Sequence, residues 1–267
     1  MFSRVCRFIV LLIAAMSRVQ GDELSTAVVD PKATADRYEM RSDHDPNGIG
    51  KFYMGREIAH VMGFAGAGWL ERSSREEEER LTLLVRSVHL KPGEVVADIG
   101  AGSGVISMRM SEMLLPDGKV LAVDVQDEML DLLKANCEKF GITNVEPVKG
   151  TQKSTGLKPA SIDMAIMVDV YHEFEFPYEM MCDIADAIKP GGRVIFVEYR
   201  KEDPTVPIKE VHKMSQVQVQ KEIEQPEFGL KWTETVHVLP RQHILVFTKQ
   251  ASPADESAET KLQSIKE

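Results

Sequence analysis

Beyond residue 94, short apolar runs alternate with segments whose apolar positions recur at helical spacing, and this alternation predicts most of the architecture. Residues 95–99, 120–124, 145–148, 162–168 and 193–198 read as strands, and 103–115, 127–140 and 177–188 as the helices between them. In 127–140, Leu130, Leu133, Cys137 and Phe140 share one face, and Gly141 closes the helix. Apolar strands separated by helices imply a parallel sheet buried on both faces. The pattern then changes. A helical segment over 208–224 leads into two strand-like segments, 231–238 and 243–249, joined at Leu239-Pro240-Arg241, which predicts an antiparallel hairpin. The expected fold is α/β, a doubly wound, mostly parallel sheet ending in that hairpin.

Upstream the signal is weaker. Residues 22–50 are polar, with Pro31, Pro46 and a Gly48-Ile49-Gly50 step, and read as a linker or an arm lying on the domain. The stretch from Met54-Gly55-Arg56 to Trp69-Leu70-Glu71-Arg72 mixes glycines, an aromatic and arginines, the composition of a candidate lid. Arg56, Trp69 and Arg72 are then either substrate contacts or packing and surface ion pairs. A capping-box pattern at Ser74–Glu77 opens a helix with Leu81, Leu84, Val85 and Val88 inward, and the run Glu76–Glu79 reads as its solvated first turn. Residues 250–267 are polar and charged, as in a disordered tail. The expected division is 1–21, a 22–73 linker and lid, a 74–249 catalytic domain, and the tail.

Residues 1–21 differ in kind. Arg4 and Arg7 precede the apolar run Phe8 to Met16, and Val19-Gln20-Gly21 follows, the pattern of a secretory signal peptide. The run is too short to span a bilayer, so export, periplasmic or beyond, with no transmembrane span in the mature chain, is preferred over a retained membrane anchor or a cytoplasmic chain. The 267 residues, 43% of them apolar, suffice for one principal domain with extensions. Acids outnumber bases 42 to 32 and no lysine/arginine block appears, which argues against a nucleic-acid partner. Beyond Cys6, only Cys137 and Cys182 remain, in helical patterns and outside any Cys-x-x-Cys pair, so neither a disulfide framework nor structural zinc is indicated.

The chemistry begins where the 95–99 strand runs into Asp98-Ile99-Gly100-Ala101-Gly102-Ser103-Gly104. Alternate glycines let backbone turn sharply and approach a ligand closely, and a helix starting just beyond turns its free amides toward that ligand. Asp124, about 20 residues past the last glycine, is placed to grip a ribose diol. A dinucleotide fingerprint counted from Gly100 needs its third glycine where Val105 stands; Gly104 arrives one place early.

This run instead resembles the first motif of class I S-adenosylmethionine-dependent methyltransferases. Val123-Asp124-Val125 is similar to their second-strand motif, Ser161-Ile162-Asp163-Met164 to the entry of the fourth strand, and Lys189-Pro190-Gly191-Gly192-Arg193 to the turn into the fifth. The likeness covers roughly 75–249 with the hairpin, and implies a seven-stranded Rossmann-like sheet. Within the family the chain looks like the ubiquinone/menaquinone-type small-molecule enzymes. The resemblance implies S-adenosylmethionine as cofactor and in-line methyl transfer to a small-molecule acceptor. A non-catalytic S-adenosylmethionine-binding domain is the alternative, and an NAD-dependent oxidoreductase stands third. By resemblance, the amides of Gly100, Ala101, Gly102 and Gly104 face the methionine portion, Asp98 supports the loop or the ammonium, Asp124 accepts the ribose hydroxyls, and Val125 and Gln126 border the adenine. Where many relatives have Gly-Asp, this chain has Gly150-Thr151-Gln152, leaving Thr151 or Gln152 as neutral adenine contacts.

Asp169-Val170-Tyr171-His172-Glu173 follows the 162–168 strand at the carboxyl edge, where such sheets bind ligands. His172 is the candidate general base, with Tyr171 or Asp169 orienting it or the acceptor; otherwise His172 caps the next turn and Tyr171 packs over the cofactor. Glu198 and Tyr199 end a strand on the same edge. No metal is expected. Asp43-His44-Asp45-Pro46-Asn47-Gly48 begins like a calcium loop but has Met54 where the bidentate glutamate belongs, and the seven histidines lack the paired helical spacing of a zinc enzyme.

Overall fold

The alternating half of the chain folds into strands and helices close to the expected bounds in the computed structural model, which describes residues 37–251. The expected signal peptide, the linker before residue 37 and the tail from 252 lie outside the described residues. The strands are β1 Tyr38–Met40, β2 Gly48–Tyr53, β3 Arg56–Ala59, β4 Val95–Ile99, β5 Lys119–Asp124, β6 Val145–Lys149, β7 Ile162–Val168, β8 Ile188–Tyr199, β9 Leu230–Val236 and β10 Gln242–Lys249. Seven of them form one sheet in the order β6-β5-β4-β7-β8-β10-β9. β6 through β8 run parallel, and β10 lies antiparallel between β8 and β9. β4 lies between β5 and β7, so the order reverses there, and a crevice opens beyond the carboxyl ends of these strands.

Strict alternation along the central strands builds two cores. Ala97, Ile99, Ala165, Met167 and Phe196 face one side with Met181 and Ile184 of helix Pro177–Ala187. Val96, Met164, Ile166, Ile195 and Val197 face the other with Leu84, Met110 and Leu114 of helices Leu81–Ser87 and Val105–Leu114. Helix Asp127–Phe140 ends at Gly141 as expected, burying Leu130, Leu133 and Cys137, but Phe140 is exposed at its last turn. The turn at 189–192 is absorbed as an irregularity in β8, where Met164 pairs with Arg193 two positions after Ile162 pairs with Ile188.

Three expectations need correction. Residues 38–59 are not a linker: β1, β2 and β3 form a three-stranded antiparallel sheet, with a tight hairpin at Met54-Gly55 where both residues take positive φ. Its buried positions include Gly48, Gly50 and Lys51, which do not read as apolar; the Lys51 ammonium lies over the Phe176 ring at 3.5 Å. The expected helix from Ser74 splits into Arg75–Glu79 and Leu81–Ser87, because Arg80 takes φ 53°, and Ser74 makes no side-chain cap. Glu79 is not solvated but fully buried, accepting hydrogen bonds from Arg75 Nε (2.7 Å) and Tyr199 OH (2.9 Å). Finally, the expected 208–224 helix shortens to Gln216–Ile223, which Ser215 caps through the Gln218 amide, preceded by a 3-10 turn at Glu210–His212. Asp45 of the calcium-like run serves a turn, accepting from the Asn47 amide at 2.8 Å as the chain enters β2.

Candidate functional site

Beyond β4 the chain turns through Gly100, Gly102 and Gly104, all at positive φ, into helix Val105–Leu114. A Cβ on Gly100 would lie 2.5 Å from Val170 Cγ2, and one on Gly104 would lie 2.8 Å from Leu133 Cγ, so both glycines permit close packing that no other residue allows. The loop amides are not free. Those of Gly100 and Ala101 donate to Val123 O at 2.8 and 3.0 Å, that of Gly102 to Asp124 Oδ2 at 2.9 Å, and that of Gly104 to Ala101 O. The expectation that these four amides face a ligand is therefore corrected: the first three tie the loop to β5, the fourth closes the loop on itself, and Gly100 and Gly102 offer the cavity close backbone approach instead.

Asp124 ends β5 on the cavity wall. Its Oδ2 accepts from Gly102 and its Oδ1 from the Gln126 amide at 2.9 Å, which leaves one lone pair on each oxygen, as two neighbouring hydroxyls require. Burial raises its pKa against the pull of these amides. Asp98 lies behind the wall, fully buried, accepting from Ser107 Oγ at 2.5 Å; burial pushes its pKa up to about 6. It braces the helix that follows the loop. Val125, Gln126, Thr151 and Gln152 all line the cavity. The Gln126 amide is engaged, its Nε2 donating to Met62 O (3.0 Å) and its Oε1 accepting from the Phe64 amide (2.8 Å). Thr151 Oγ1 accepts from the amides of Lys153 and Ser154 and so holds its own turn, leaving Gln152 as the freer neutral side chain.

Asp169, just past β7, takes φ 53° and is half-buried on the cavity wall. Burial, with Glu79 and Glu198 nearby, pushes its carboxyl well above the usual range; one oxygen accepts from Gln242 Nε2 at 3.1 Å. The 3-10 turn Tyr171–Glu173 then sends its side chains apart. Tyr171 points into the core, its hydroxyl donating to Glu222 Oε2 at 2.8 Å and its ring edge-on to Phe196, so it stands behind the wall, not on it. His172 is on the wall. Its Nδ1 lies 2.6 Å from Glu198 Oε2, whose other oxygen accepts the Tyr171 amide. Burial pushes His172 down to about 4 and Glu198 up to about 8.

Two residues that sequence spacing did not single out complete this end. Glu173 and His212 line the cavity beside His172, with His172 Nε2 3.2 Å from His212 Nδ1. The lid candidate contributes Val61, Met62, Trp69 and Leu70 to the opposite wall. Its arginines do not reach the cavity. Arg56 is buried in a bidentate pair with Glu222 (2.8 and 2.9 Å) and donates to His172 O, while Arg72 stacks on Trp69 and bonds Glu78 and Glu79. The enclosed volume is about 660 Å³, which suits a nucleoside-sized ligand with a small partner.

A methyltransferase-domain family matches residues 90–243. The demethylmenaquinone methyltransferase of Lactococcus lactis is 28% identical over 116 residues, which is 43% of this chain and 45% of that one. The ubiquinone/menaquinone biosynthesis C-methyltransferase of Wigglesworthia glossinidia brevipalpis is 22% identical over 120 residues, 45% and 48% of the two chains. The chain thus spans about half the length of these curated relatives. Among solved structures, a SAM-dependent methyltransferase from Aquifex aeolicus superposes with a TM-score of 0.66 at 24% identity, covering 71% of this chain and 100% of that one. That likeness establishes the seven-stranded fold.

Proposed function

The chain belongs to the class I S-adenosylmethionine-dependent methyltransferase family, and from that membership we propose that it transfers a methyl group from this cofactor to a small-molecule acceptor held beneath residues 61–70. The observation that carries the reading is Asp124: a buried carboxylate at the carboxyl end of β5, facing the cavity with an acceptor lone pair on each oxygen, beside a backbone made approachable by Gly100 and Gly102. That donor and acceptor set fits a ribose diol and needs no phosphate contact. S-adenosylmethionine, when bound, supplies an activated methyl on a sulfonium.

The protein's part is placement. Asp124 fixes the ribose, Gln152 and Val125 border the base, and Gln126 ties residues 62–64 to the cavity wall. The acceptor would lie toward His172, Glu173 and His212, between apolar walls that include Trp69, Phe174 and Met180, with its nucleophilic atom where the cofactor's methyl group would be presented. Alignment of this kind contributes roughly 7–11 kcal/mol in favourable cases. A small, largely apolar acceptor fits these walls, in keeping with the demethylmenaquinone and the ubiquinone/menaquinone biosynthesis in the names of the two curated relatives.

Calorimetry with S-adenosylmethionine, S-adenosylhomocysteine and NAD tests the assignment. Binding of the first two with one-to-one stoichiometry is expected, and preferential NAD binding would overturn it. Incubation with methyl-labelled cofactor and a small-molecule extract should then label a low-mass product; cofactor binding with no transfer to any acceptor would favour a non-catalytic binding domain.

A further inference from the structure

His172 and Glu173 leave the end of β7, and His212 sits in the 3-10 turn at Glu210–His212, yet three of their atoms converge on one point of the cavity wall. His172 Nε2 lies 3.2 Å from His212 Nδ1, Glu173 Oε1 lies 3.7 Å from His212 Nδ1, and Glu173 Oε1 lies 3.9 Å from His172 Nε2. The circle through three points so spaced has a radius of about 2.1 Å, the length of a zinc–imidazole or zinc–carboxylate bond. We propose that His172, Glu173 and His212 bind a divalent first-row transition ion, of which zinc is the type, at the acceptor end of the cavity. Binding of the ion stands on these side chains alone; its service to the acceptor rests on the methyl-transfer reading.

A hydrogen bond between the two imidazoles explains one side of this triangle and leaves the other two without a bond, whereas a cation at its centre accounts for all three. Two of the three ligands are also aimed from behind. Glu198 holds His172 Nδ1 at 2.6 Å, the carboxylate–histidine arrangement that fixes a ring and directs its other nitrogen at a metal. Glu173 Oε2 accepts the Met62 amide at 3.2 Å, which leaves Oε1 turned toward the histidines. The neighbouring cations are occupied elsewhere, Arg56 by Glu222 and Lys209 by Asn47 Oδ1. Two imidazoles and one carboxylate suit zinc and its first-row neighbours; calcium and magnesium prefer oxygen alone. Three protein ligands leave a fourth position open. Here it faces the cavity shared with Asp124, so the site takes water or an acceptor bearing a hydroxyl, amine or thiol.

The test uses the full chain, stripped with a chelator and titrated with cobalt(II) and with zinc, alongside calorimetry with S-adenosylhomocysteine. Stoichiometric binding is expected, with a visible cobalt spectrum of low coordination number displaced by zinc. His212→Ala and Glu173→Gln should each weaken zinc by at least about 100-fold, and Glu198→Gln by about 10- to 100-fold. Absence of one-to-one metal binding in the wild type, or metal binding unchanged in both His212→Ala and Glu173→Gln, overturns the proposal. Metal binding without S-adenosylhomocysteine binding would sink the methyl-transfer reading and leave the ion site standing; the reverse would sink the ion site alone.

Discussion

At the cofactor end of the cavity nearly every positioning contact is made by backbone between Asp98 and Gln126: glycines at positive φ, loop amides bonded to Val123 O, and an aspartate accepting amides on either side. At the acceptor end the work is done by buried polar and charged side chains drawn from across the chain, with Arg56 against Glu222, Glu198 against His172, and Glu79 held by Arg75 and Tyr199. A backbone-built cradle costs little to bury because its polar groups are satisfied between the loop and the adjoining strand β5. Side-chain ion pairs depend on long-range folding and carry a desolvation penalty that only their partners offset. The first end is thus suited to holding one invariant ligand. The second can change acceptor chemistry by exchanging a few side chains, at a risk to stability.

The largest effect should come from breaking a pair at the acceptor end. Arg56→Ala leaves Glu222 charged and fully buried, at an expected cost of about 3–5 kcal/mol in urea denaturation. The combined variant Arg56→Met, Glu222→Leu should recover most of that loss, since it removes both charges together. A loss below about 1 kcal/mol for Arg56→Ala would mean that the acceptor end is not held by this pair, and the contrast between the two ends would fail.

Of the two buried carboxylates at the cofactor end, Asp98 is the more deeply buried, and pH exposes it. Asp98 titrates near 6 in the fold against an ordinary 3.8, because burial disfavours the ionised form. Its folded pKa is raised, so its contribution to stability is fully present below pH 3.8 and is lost as pH rises through about 6. The shift corresponds to roughly 3 kcal/mol. Asp98→Asn keeps an acceptor for Ser107 and removes the titration. The variant should gain stability relative to wild type as pH is raised from 4 to 7, and level off above. A difference independent of pH would show that Asp98 ionises freely and that this end is more open than its geometry indicates.

How much of each end was legible follows from the same contrast. The glycine loop, Asp98 and Asp124 belong to one strand–loop–helix–strand unit, whose local spacing alone sets their geometry, so sequence located them together. It misjudged only the loop amides, because whether an amide turns inward depends on where Val123 O lies in three dimensions. At the acceptor end, β7 fixes the position of His172 but not the direction of its neighbours: Tyr171 turned inward to Glu222, while Glu173 turned outward. His212 lies 40 residues beyond His172 with no regular element to set its register, so spacing carried no metal-binding signal. The three-stranded sheet over 38–59 was hidden for a related reason, since its buried face uses glycine and a lysine under aromatic rings where a pattern reader looks for valine and isoleucine.

Removing the Asp124 carboxylate should affect binding before stability. Its bonds to hydroxyls are charge-assisted and worth about 1.5–3 kcal/mol, so Asp124→Ala should weaken S-adenosylhomocysteine by about 10- to 100-fold in calorimetry. Circular dichroism should remain that of a folded chain, because the amides of Gly100 and Ala101 still tie the loop to β5. Undiminished affinity in a folded variant would place the ribose elsewhere.

The smallest predicted effect probes where the two ends meet. The backbone of Met62 is held from both: its carbonyl accepts from Gln126 at the cofactor end, and its amide donates to Glu173 at the acceptor end. Gln126→Ala removes the first hold, and with it the contact to the Phe64 amide, yet leaves Glu173 in place. The two lost bonds join neutral groups and the segment is partly exposed, so the cost to cofactor affinity should be about 1 kcal/mol, or roughly fivefold in Kd. Amide exchange at residues 62–64 should quicken, and because linkage is reciprocal, S-adenosylhomocysteine should slow exchange there more in the wild type than in the variant. Faster exchange with an unchanged Kd would mean that residues 62–64 close over the cavity without contributing to binding. The two ends would then be independent sites sharing a wall. Both changes together would make the Met62 peptide the link through which occupancy of one end is felt at the other.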